Sequence, residues 1–198
     1  MKIGVMSVQG AFPEHIAASK RALRSLRMRG EAVPVRRLQD LDGVDAVIIP
    51  GGESTTIAKL LVRFKLRQRV LELAEEGVPI MGTCAGLVLL AKEGDEQVER
   101  TGTELLALMD MAVDRNAFGR QRESFEAELE IEGLEEPFPA VFIRAPVITR
   151  VWGECQVLSR YQGSMVMARQ NNLLALAFHP ELCHDTRIHE MLVSMANK

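Results

Sequence analysis

Cys84 is the residue of this chain whose surroundings point most directly to chemistry. It lies between Gly82 and Gly86 in a Gly-x-Cys-x-Gly pentapeptide, with one apolar run before it and another after it. This pattern is the sulfur counterpart of the Gly-x-Ser-x-Gly turn that presents a nucleophile between a strand and a helix. The helix N-terminus that follows such a turn favours a thiolate. The pattern therefore predicts a nucleophilic cysteine, and the alternative is a small buried hydrophobic residue.

A base and an orienting carboxylate are present in the segment His179-Pro180-Glu181. The continuous apolar run before it, 173–178, predicts a buried strand. Pro180 favours an extended backbone at His179, and residues two apart in an extended segment face the same side. A thiol nucleophile needs a base whose tautomer is fixed by a carboxylate. We therefore predict a catalytic triad of Cys84, His179 and Glu181, although without the cysteine a surface histidine and glutamate would be the simpler interpretation.

A second glycine turn, Gly51-Gly52, follows the apolar run 46–49. Adjacent glycines let the backbone approach a ligand and direct N–H groups towards it, and such groups can stabilise an oxyanion. Ser54 or Thr55 is predicted to cap the next helix. No Gly-Lys-Ser/Thr sequence follows, which argues against a phosphate-binding loop. The alternative is a structural turn with a helix cap.

Strands and helices alternate in the first half of the predicted structure. The predicted strands cover 2–8, 32–35, 46–49 and 78–81, and the predicted helices cover about 13–29, 57–64, 66–77 and 87–91. Such alternation predicts a parallel sheet, in which ligands bind beyond the carboxyl ends of the strands. The two glycine turns and His179 all follow such ends, so we expect them to meet there.

The second half of the chain is predicted to contain more antiparallel β-structure. Its candidate strands cover 125–131, 141–143, 156–158, 165–168 and 173–178, and a last helix covers about 185–196. We therefore predict an α/β, flavodoxin-like three-layer fold with a central, mostly parallel sheet and an added antiparallel β portion in the second half. A length of 198 residues fits a single domain over 1–198.

Composition excludes several functional classes. A net charge of −3 gives no electrostatic reason to bind nucleic acid or an anionic membrane. No apolar run approaches the roughly 20 residues that span a bilayer, and the N-terminus shows no signal-peptide pattern. Three cysteines form no even-numbered disulfide framework, so we expect a reducing cytoplasm. Cys183 and His184 follow His179 closely, but no second cluster completes a closed metal site, and we predict no metal.

The motifs around these residues together resemble those of the class I (triad) glutamine amidotransferases. The matching segments are Pro50-Gly51-Gly52-Glu53-Ser54-Thr55-Thr56, Gly82-Thr83-Cys84-Ala85-Gly86 and His179-Pro180-Glu181. Three further regions are similar to signatures of the PdxT family, the glutaminase subunits of pyridoxal 5′-phosphate synthase. They are Val8-Gln9-Gly10-Ala11 with Glu14-His15, residues 114–121 with 124–126, and residues 142–146. The resemblance covers almost the whole chain. By analogy with the family, His15 in this signature would touch a partner surface, and the commoner interpretation is an exposed histidine near a helix start.

The resemblance implies hydrolysis of L-glutamine to glutamate and ammonia through a glutamyl thioester. Cys84 would be the nucleophile, His179 the base and Glu181 its orienting carboxylate. Backbone N–H groups at Gly51 or Gly52 and at Ala85 would bind the oxyanion. The glutamine pocket implied by the family consists of Gly52, Glu53, Ser54, Arg115, Ile143 and Arg144. The sequence leaves open which arginine holds the substrate carboxylate, and it implies no cofactor.

The same resemblance implies a partner, a TIM-barrel synthase subunit of the PdxS type that receives the ammonia within a heteromeric complex. Pyridoxal 5′-phosphate would then be the product of the complex. In the family, partner binding completes the oxyanion hole, so the isolated subunit is expected to be less active. Two other functions are considered. A related cysteine-turn hydrolase or glyoxalase-like protein would lack the His179-Pro180-Glu181 arrangement, and a non-catalytic regulatory subunit would have no need of all three triad residues.

Overall fold

The first half of the chain folds into alternating strands and helices, as its sequence predicts. The computed structural model describes residues 1–115 and 124–197. The strands are β1 (Lys2–Met6), β2 (Glu31–Val35), β3 (Ala46–Ile49), β4 (Ile80–Thr83), β5 (Ala91–Glu93), β6 (Met109–Asp114), β7 (Ser124–Leu129), β8 (Phe138–Ile143), β9 (Val147–Val151), β10 (Gln156–Tyr161), β11 (Ser164–Gln170) and β12 (Leu173–Leu176). The helices are α1 (Phe12–Ser25), α2 (Ser54–Arg63), α3 (Leu66–Glu75), α4 (Ala85–Leu90), α5 (Glu96–Thr101) and α6 (Arg187–Ala196), with short 3₁₀ helices at Leu38–Leu41 and Pro180–Leu182. Residues 116–121 of the family signature lie outside the described ranges.

The described strands form one large sheet and one small one. The order in the large sheet is β2-β1-β3-β4-β12-β11-β9-β6-β5, with β10 paired to β11. Strands β2, β1, β3, β4 and β12 pair in parallel, whereas β11 pairs antiparallel with β12, β9 and β10. Strands β7 and β8 form a separate antiparallel pair. The predicted α/β class, with a parallel sheet and an antiparallel portion in the second half, is confirmed.

Burial explains why the central strands read as uninterrupted apolar runs. Every residue of β3, β4 and β12 is buried, because helices flank the sheet and a parallel sheet is covered on both faces. Helix α1 packs against α6, and α2 packs against α3 and α4. No helix in the described ranges has the length and apolar character needed to cross a bilayer.

Several element boundaries differ from the predictions. Strand β4 extends to Thr83, immediately before the cysteine turn, and α1 ends at Ser25 rather than near Arg29. The charged stretch 92–100 contains α5, whose N-terminus is capped by the Asp95 side chain accepting a hydrogen bond from the Val98 N–H. Strands β5 and β9 carry no clear two-residue alternation and were not predicted. Strand β6 was missed although its residues alternate between buried and half-buried positions.

Candidate active site

Cys84 occupies the turn between β4 and α4 in an unusual backbone conformation. Its φ is 50° and its ψ is −103°, and it stands at the N-cap of α4. Its N–H donates to the Leu176 carbonyl of the neighbouring strand at 2.7 Å. A positive φ at a non-glycine residue costs about 1–3 kcal/mol and persists only where surrounding contacts impose it. The turn therefore fixes the thiol at the carboxyl end of β4 and at the N-terminus of a helix.

The flanking glycines are required by close packing. A Cβ at Gly82 would lie 2.5 Å from the Gly86 carbonyl oxygen, and a Cβ at Gly86 would lie 2.1 Å from the Ile49 carbonyl oxygen. Both contacts are with backbone atoms, which cannot move aside as the end of a side chain can. Any larger residue at either position would push β3, β4 and α4 apart.

His179 and Glu181 meet at the end of β12. The two side chains are joined by a 2.7 Å contact between His179 Nδ1 and Glu181 Oε1, and both residues are buried. Because a carboxylate only accepts hydrogen bonds, Nδ1 carries the proton and donates it, which leaves Nε2 for another partner. The predicted proximity is present, but the backbone after His179 turns into the 3₁₀ helix Pro180–Leu182 instead of remaining extended.

The His179 ring lies beside Cys84, with Gly51 packed against both. A Cβ at Gly51 would lie 2.5 Å from His179 Cε1 and 3.2 Å from Cys84 Cβ. Within the described residues the buried His179 Nε2 has no hydrogen bond of good geometry, and its electrostatic partner is the thiol. Burial alone would lower the pKa of His179, but the side chains of Cys84 and Glu181 outweigh it and raise the pKa to about 10. The surroundings therefore favour the imidazolium form.

The Gly51-Gly52 turn follows β3 and contacts the loop before α1. A Cβ at Gly10 would lie 1.8 Å from the Gly51 carbonyl oxygen, so the two loops touch through their backbones. The Glu53 N–H donates to the Gln9 side-chain oxygen at 3.0 Å. Across the cavity, the Ala85 N–H belongs to the first turn of α4, where N–H groups have no acceptor within the helix. The Ala85 N–H, next to Cys84, is thus available to bind an oxyanion.

Glu53, and not Ser54 or Thr55, caps α2. Its carboxylate accepts hydrogen bonds from the Thr55 N–H at 3.0 Å and from the Thr56 N–H at 2.7 Å. The prediction of a Ser54 or Thr55 cap is wrong, because both residues already lie inside the helix. Burial raises the pKa of Glu53, but the hydrogen bonds from Thr56 and Thr55 outweigh it and lower the pKa to about 2. Arg115 pairs with the same carboxylate at 3.1 Å.

One cavity of about 530 Å³ contains the predicted pocket residues. The six residues assigned to the glutamine pocket from the sequence all line it, namely Gly52, Glu53, Ser54, Arg115, Ile143 and Arg144. The predicted oxyanion residues Gly51 and Ala85 line it as well, together with Cys84 and His179. Glu181 lies behind the imidazole rather than on the cavity wall. The structure therefore brings every predicted site residue to one place at the carboxyl ends of the parallel strands, where α/β sheets bind ligands.

Sequence reasoning missed the role of His15. The interpretation of His15 as exposed is wrong, since it is fully buried, with Nδ1 at 3.1 Å from His189 Nε2. Its Nε2 lies 3.2 Å from Thr83 Oγ1 and 3.2 Å from Glu181 Oε2. The spacing of the buried residues of α1 (15, 18, 19, 22 and 23) is that of one helix face, so helical periodicity could have identified it.

The described residues contain no group of three or more His, Cys, Asp or Glu side chains placed to hold a metal ion. Cys84, Cys155 and Cys183 are all free thiols. Cys155 is buried beside β10, and its burial, followed by the charge of Asp110, raises the pKa of its thiol to about 11. Cys84 is thus the one cysteine that lines the cavity described above.

Comparison with known proteins agrees with this geometry. A protein of Archaeoglobus fulgidus named pyridoxal 5′-phosphate synthase subunit PdxT is 55% identical over 195 residues, covering 98% of each chain. A protein of the same name from Methanosarcina barkeri is 54% identical over 96% of this chain and 95% of its own. A crystal structure titled as a glutamine amidotransferase superposes with a TM-score of 0.87 at 44% identity, covering 99% of both chains. The model of the SNO glutamine amidotransferase family matches residues 5–198. The resemblance inferred from the motifs is confirmed: the chain belongs to the SNO glutamine amidotransferase family.

Proposed function

We propose that this protein hydrolyses L-glutamine to L-glutamate and ammonia at Cys84, as the glutaminase subunit of a pyridoxal 5′-phosphate synthase. The observation that carries the proposal is the convergence of Cys84, His179 and Glu181 beside one cavity in a chain of the SNO glutamine amidotransferase family. Each of the three groups has the chemical role that a thiol hydrolase needs.

Acylation starts from the pair in which the Cys84 thiol proton has passed to His179 Nε2, a state that the raised pKa of His179 favours. The thiolate attacks the side-chain amide carbon of glutamine, and the carbonyl oxygen becomes an oxyanion. The Ala85 N–H and an N–H of the Gly51-Gly52 turn stabilise this charge. The imidazolium then donates its proton to the departing nitrogen, so ammonia leaves and a glutamyl thioester remains on Cys84.

Deacylation uses the same groups in reverse. His179 accepts a proton from water, the hydroxide attacks the thioester, and collapse of the second oxyanion releases glutamate and the thiolate. Glu181 holds the imidazole in the Nδ1–H tautomer during both steps. The raised pKa of His179 suits the imidazolium state that follows the first proton transfer.

The charges around the cavity match the two charges of an amino-acid head group. Glu53 is ionised, since its pKa is lowered to about 2 by hydrogen bonds that outweigh its partial burial, and it can pair with an ammonium group. Arg144 is exposed on the cavity rim, whereas Arg115 is held by Glu53. We propose that these arginines attract the substrate carboxylate, for which guanidinium groups are well suited.

The ammonia is proposed to pass to a synthase subunit of the PdxS type. The support is the name of the two relatives, which describes each as a subunit of pyridoxal 5′-phosphate synthase. Because the proposed nucleophile must remain a free thiol, a reducing cytoplasm is the proposed location.

Partner binding is proposed to activate the site. Gly52 has a φ of 155°, a conformation that glycine adopts readily, so the peptide groups of this turn can reorient at low steric cost. In the isolated subunit the Glu53 N–H is directed to Gln9. We expect a higher glutaminase rate when the synthase subunit is present; equal rates with and without it would contradict the activation.

Covalent trapping tests the whole assignment. The protein, alone and with a PdxS-type subunit, is incubated with a diazo-ketone analogue of glutamine, and the modified peptide is mapped by mass spectrometry. We expect the label on Cys84, and we expect the folded Cys84→Ala variant to lose both labelling and glutaminase activity. Turnover by that variant would refute the mechanism, and absence of labelling with the partner present would favour a non-catalytic subunit.

A further inference from the structure

A buried histidine pair lies behind the proposed triad and is used by no step of the mechanism. His15 on α1 is fully buried, and His189 on α6 is almost fully buried. His15 Nδ1 and His189 Nε2 are 3.1 Å apart, and the two rings are tilted by 52°. On its other side, His15 Nε2 is 3.2 Å from Glu181 Oε2. A continuous series of polar side chains thus runs from α6 through α1 to the carboxylate that contacts His179.

The Glu181 carboxylate needs a second donor. Its Oε1 receives the His179 Nδ1–H, whereas its Oε2 makes no hydrogen bond of good geometry within the described residues. Glu181 is only 4% exposed, so bulk water does not supply the missing donor. An ionised oxygen left without a donor in such a site is costly. His15 Nε2, at 3.2 Å, is a side-chain nitrogen close enough to donate to it after a small rotation of the ring.

Donor and acceptor counting allows two arrangements of protons, of which only one gives Glu181 Oε2 a donor. If His15 carries its proton on Nε2, it can donate to Glu181 Oε2, and its Nδ1 becomes an acceptor. His189 must then carry its proton on Nε2 and donate it to His15 Nδ1. The opposite tautomer of His15 would direct a lone pair at a carboxylate oxygen. In the favoured arrangement the His15 Nε2–H faces two acceptors at 3.2 Å, Glu181 Oε2 and Thr83 Oγ1. In the other arrangement the Thr83 hydroxyl donates to Nε2 and Glu181 Oε2 is left without a donor.

We propose that His15 is a positioning residue that donates to Glu181 Oε2 and so fixes the orientation of the His179 imidazole, while His189 fixes the tautomer of His15. This inference rests on the proposed glutaminase function, because it assigns His15 a role through the same triad. It also explains why the histidine is buried on α1 where an apolar residue would otherwise fit.

Burial, followed by nearby charges, keeps both histidines neutral, as the proton arrangement requires. Burial lowers the pKa of His15 well below its ordinary value, and the charges of His189 and His179 act in the same direction. Burial, followed by the charge of Arg21 on α1, lowers the pKa of His189 to about 3. A neutral His15 leaves the negative charge of Glu181 available to the imidazolium of His179, which a cationic His15 would compete for.

Two substitutions of similar size separate positioning from packing. The side-chain nitrogen of glutamine can occupy the place of a histidine Nε2, whereas that of asparagine occupies the place of Nδ1. We therefore expect His15→Gln to keep most of the glutaminase activity, and His15→Asn to lower kcat about 10- to 100-fold, the effect of losing one hydrogen bond to a charged group. The KM for glutamine should not change, because His15 does not line the cavity. His184→Asn, at an exposed histidine, is the matched control.

The variants are assayed with the PdxS-type subunit present, and each is checked for folding by its thermal midpoint. Wild-type kcat in His15→Asn, or equal losses of kcat in His15→Asn and His15→Gln, would overturn the proposal.

A second measurement does not depend on the variants: the ¹⁵N chemical shifts of the imidazoles in the wild-type protein report their tautomers. We expect the Nε2–H form at His15 and at His189. An Nδ1–H tautomer at His15 would overturn the proposal even if the variants do not fold.

Lack of glutaminase activity in the wild-type complex would instead refute the proposed function. The measured tautomers would then describe only the hydrogen bonds of the buried histidines.

Discussion

The backbone of Cys84 has a conformation that only dense local packing can maintain. Gly82 and Gly86 allow β3 and α4 to approach within contact of the turn, and the Cys84 N–H is held by Leu176. The strain places the thiol next to His179 rather than in the core. Similar strain is a frequent feature of catalytic groups, since it orients them before substrate binds.

The charge state of His179 gives a prediction for stability against pH. Burial acts to lower its pKa, but Cys84 and Glu181 raise it to about 10, above the ordinary value of 6.5. Between these two values the folded state holds a proton that the unfolded state has lost. The stabilisation is therefore fully present below pH 6.5 and is lost as the pH rises through 10.

We expect the free energy of unfolding of the wild type, measured by urea denaturation, to exceed that of His179→Gln most at pH 6 and least near pH 10. An NMR titration of the imidazole provides the check. We expect its midpoint above 6.5 in the wild type and lower in Cys84→Ala, because one of the two partners that raise the pKa is absent. A wild-type midpoint at or below 6.5 would contradict the proposed interaction.

The ends of helices and strands carry most of the chemistry in this structure. Helix α4 begins at the proposed nucleophile, α2 begins after the glycine turn, and the 3₁₀ helix after β12 brings Glu181 back to His179. The cap of α2 is shared with the cavity, because the Glu53 carboxylate binds two helix N–H groups and Arg115 together. Glu53 thus contributes both to the stability of α2 and to the charge of the pocket.

Two substitutions of Glu53 separate these contributions. We expect Glu53→Ala to lower the free energy of unfolding by about 1 kcal/mol, the usual effect of losing an N-cap, and to raise the KM for glutamine. We expect Glu53→Gln to keep most of the stability, since its amide oxygen can still accept from the helix, but to raise the KM as well because the charge is lost. Thermal denaturation and steady-state kinetics measure the two effects. An unchanged KM in both variants would remove Glu53 from the glutamine pocket.

The two ends of the parallel strands, called here the two edges of the central sheet, differ in the residues that line their cavities. The carboxyl ends of β1, β3, β4 and β12 meet at the proposed catalytic cavity. The opposite edge has a larger cavity, about 750 Å³, which contains none of the predicted site residues. There the Asn172 side chain donates to the carbonyls of Val78 at 2.8 Å and Ala74 at 3.2 Å, joining β12 to the loop before β4. In sheets of this kind the chemistry belongs to the carboxyl ends, so cavity size alone does not identify the site.

Because the proposed site lies at one edge only, a substitution at the carboxyl edge should change activity, and one at the opposite edge should change stability. We expect Asn172→Ala to lower the free energy of unfolding by about 1–2 kcal/mol through its lost hydrogen bonds, with a fall in thermal midpoint of about 2–4 °C per kcal/mol, while kcat and KM stay unchanged. Cys84→Ala should abolish turnover with little change in the thermal midpoint. A marked change in KM from Asn172→Ala would show that the two edges are coupled.

Local sequence was sufficient to predict those features whose contacts are made by residues close together in the chain. The glycine turn around Cys84, the buried strands β3 and β12, and the proximity of His179 to Glu181 each depend on a few consecutive residues. Their residue types are constrained by short-range sterics and by burial. The parallel pairing of the first four strands also followed from alternation with helices, since crossover connections permit few other arrangements.

The amino-acid sequence by itself therefore determined the α/β class, the three segments that meet at the cavity and the residue types proposed to do the chemistry there. Only the tertiary structure decided that Glu53 caps α2 while pairing with Arg115, and that His15 is buried against residues 68 and 174 positions away. The physical reason is that a side chain's burial and its hydrogen-bond partner are set by the elements packed on it. For these residues the packing elements are distant in the chain, so no local pattern contains them.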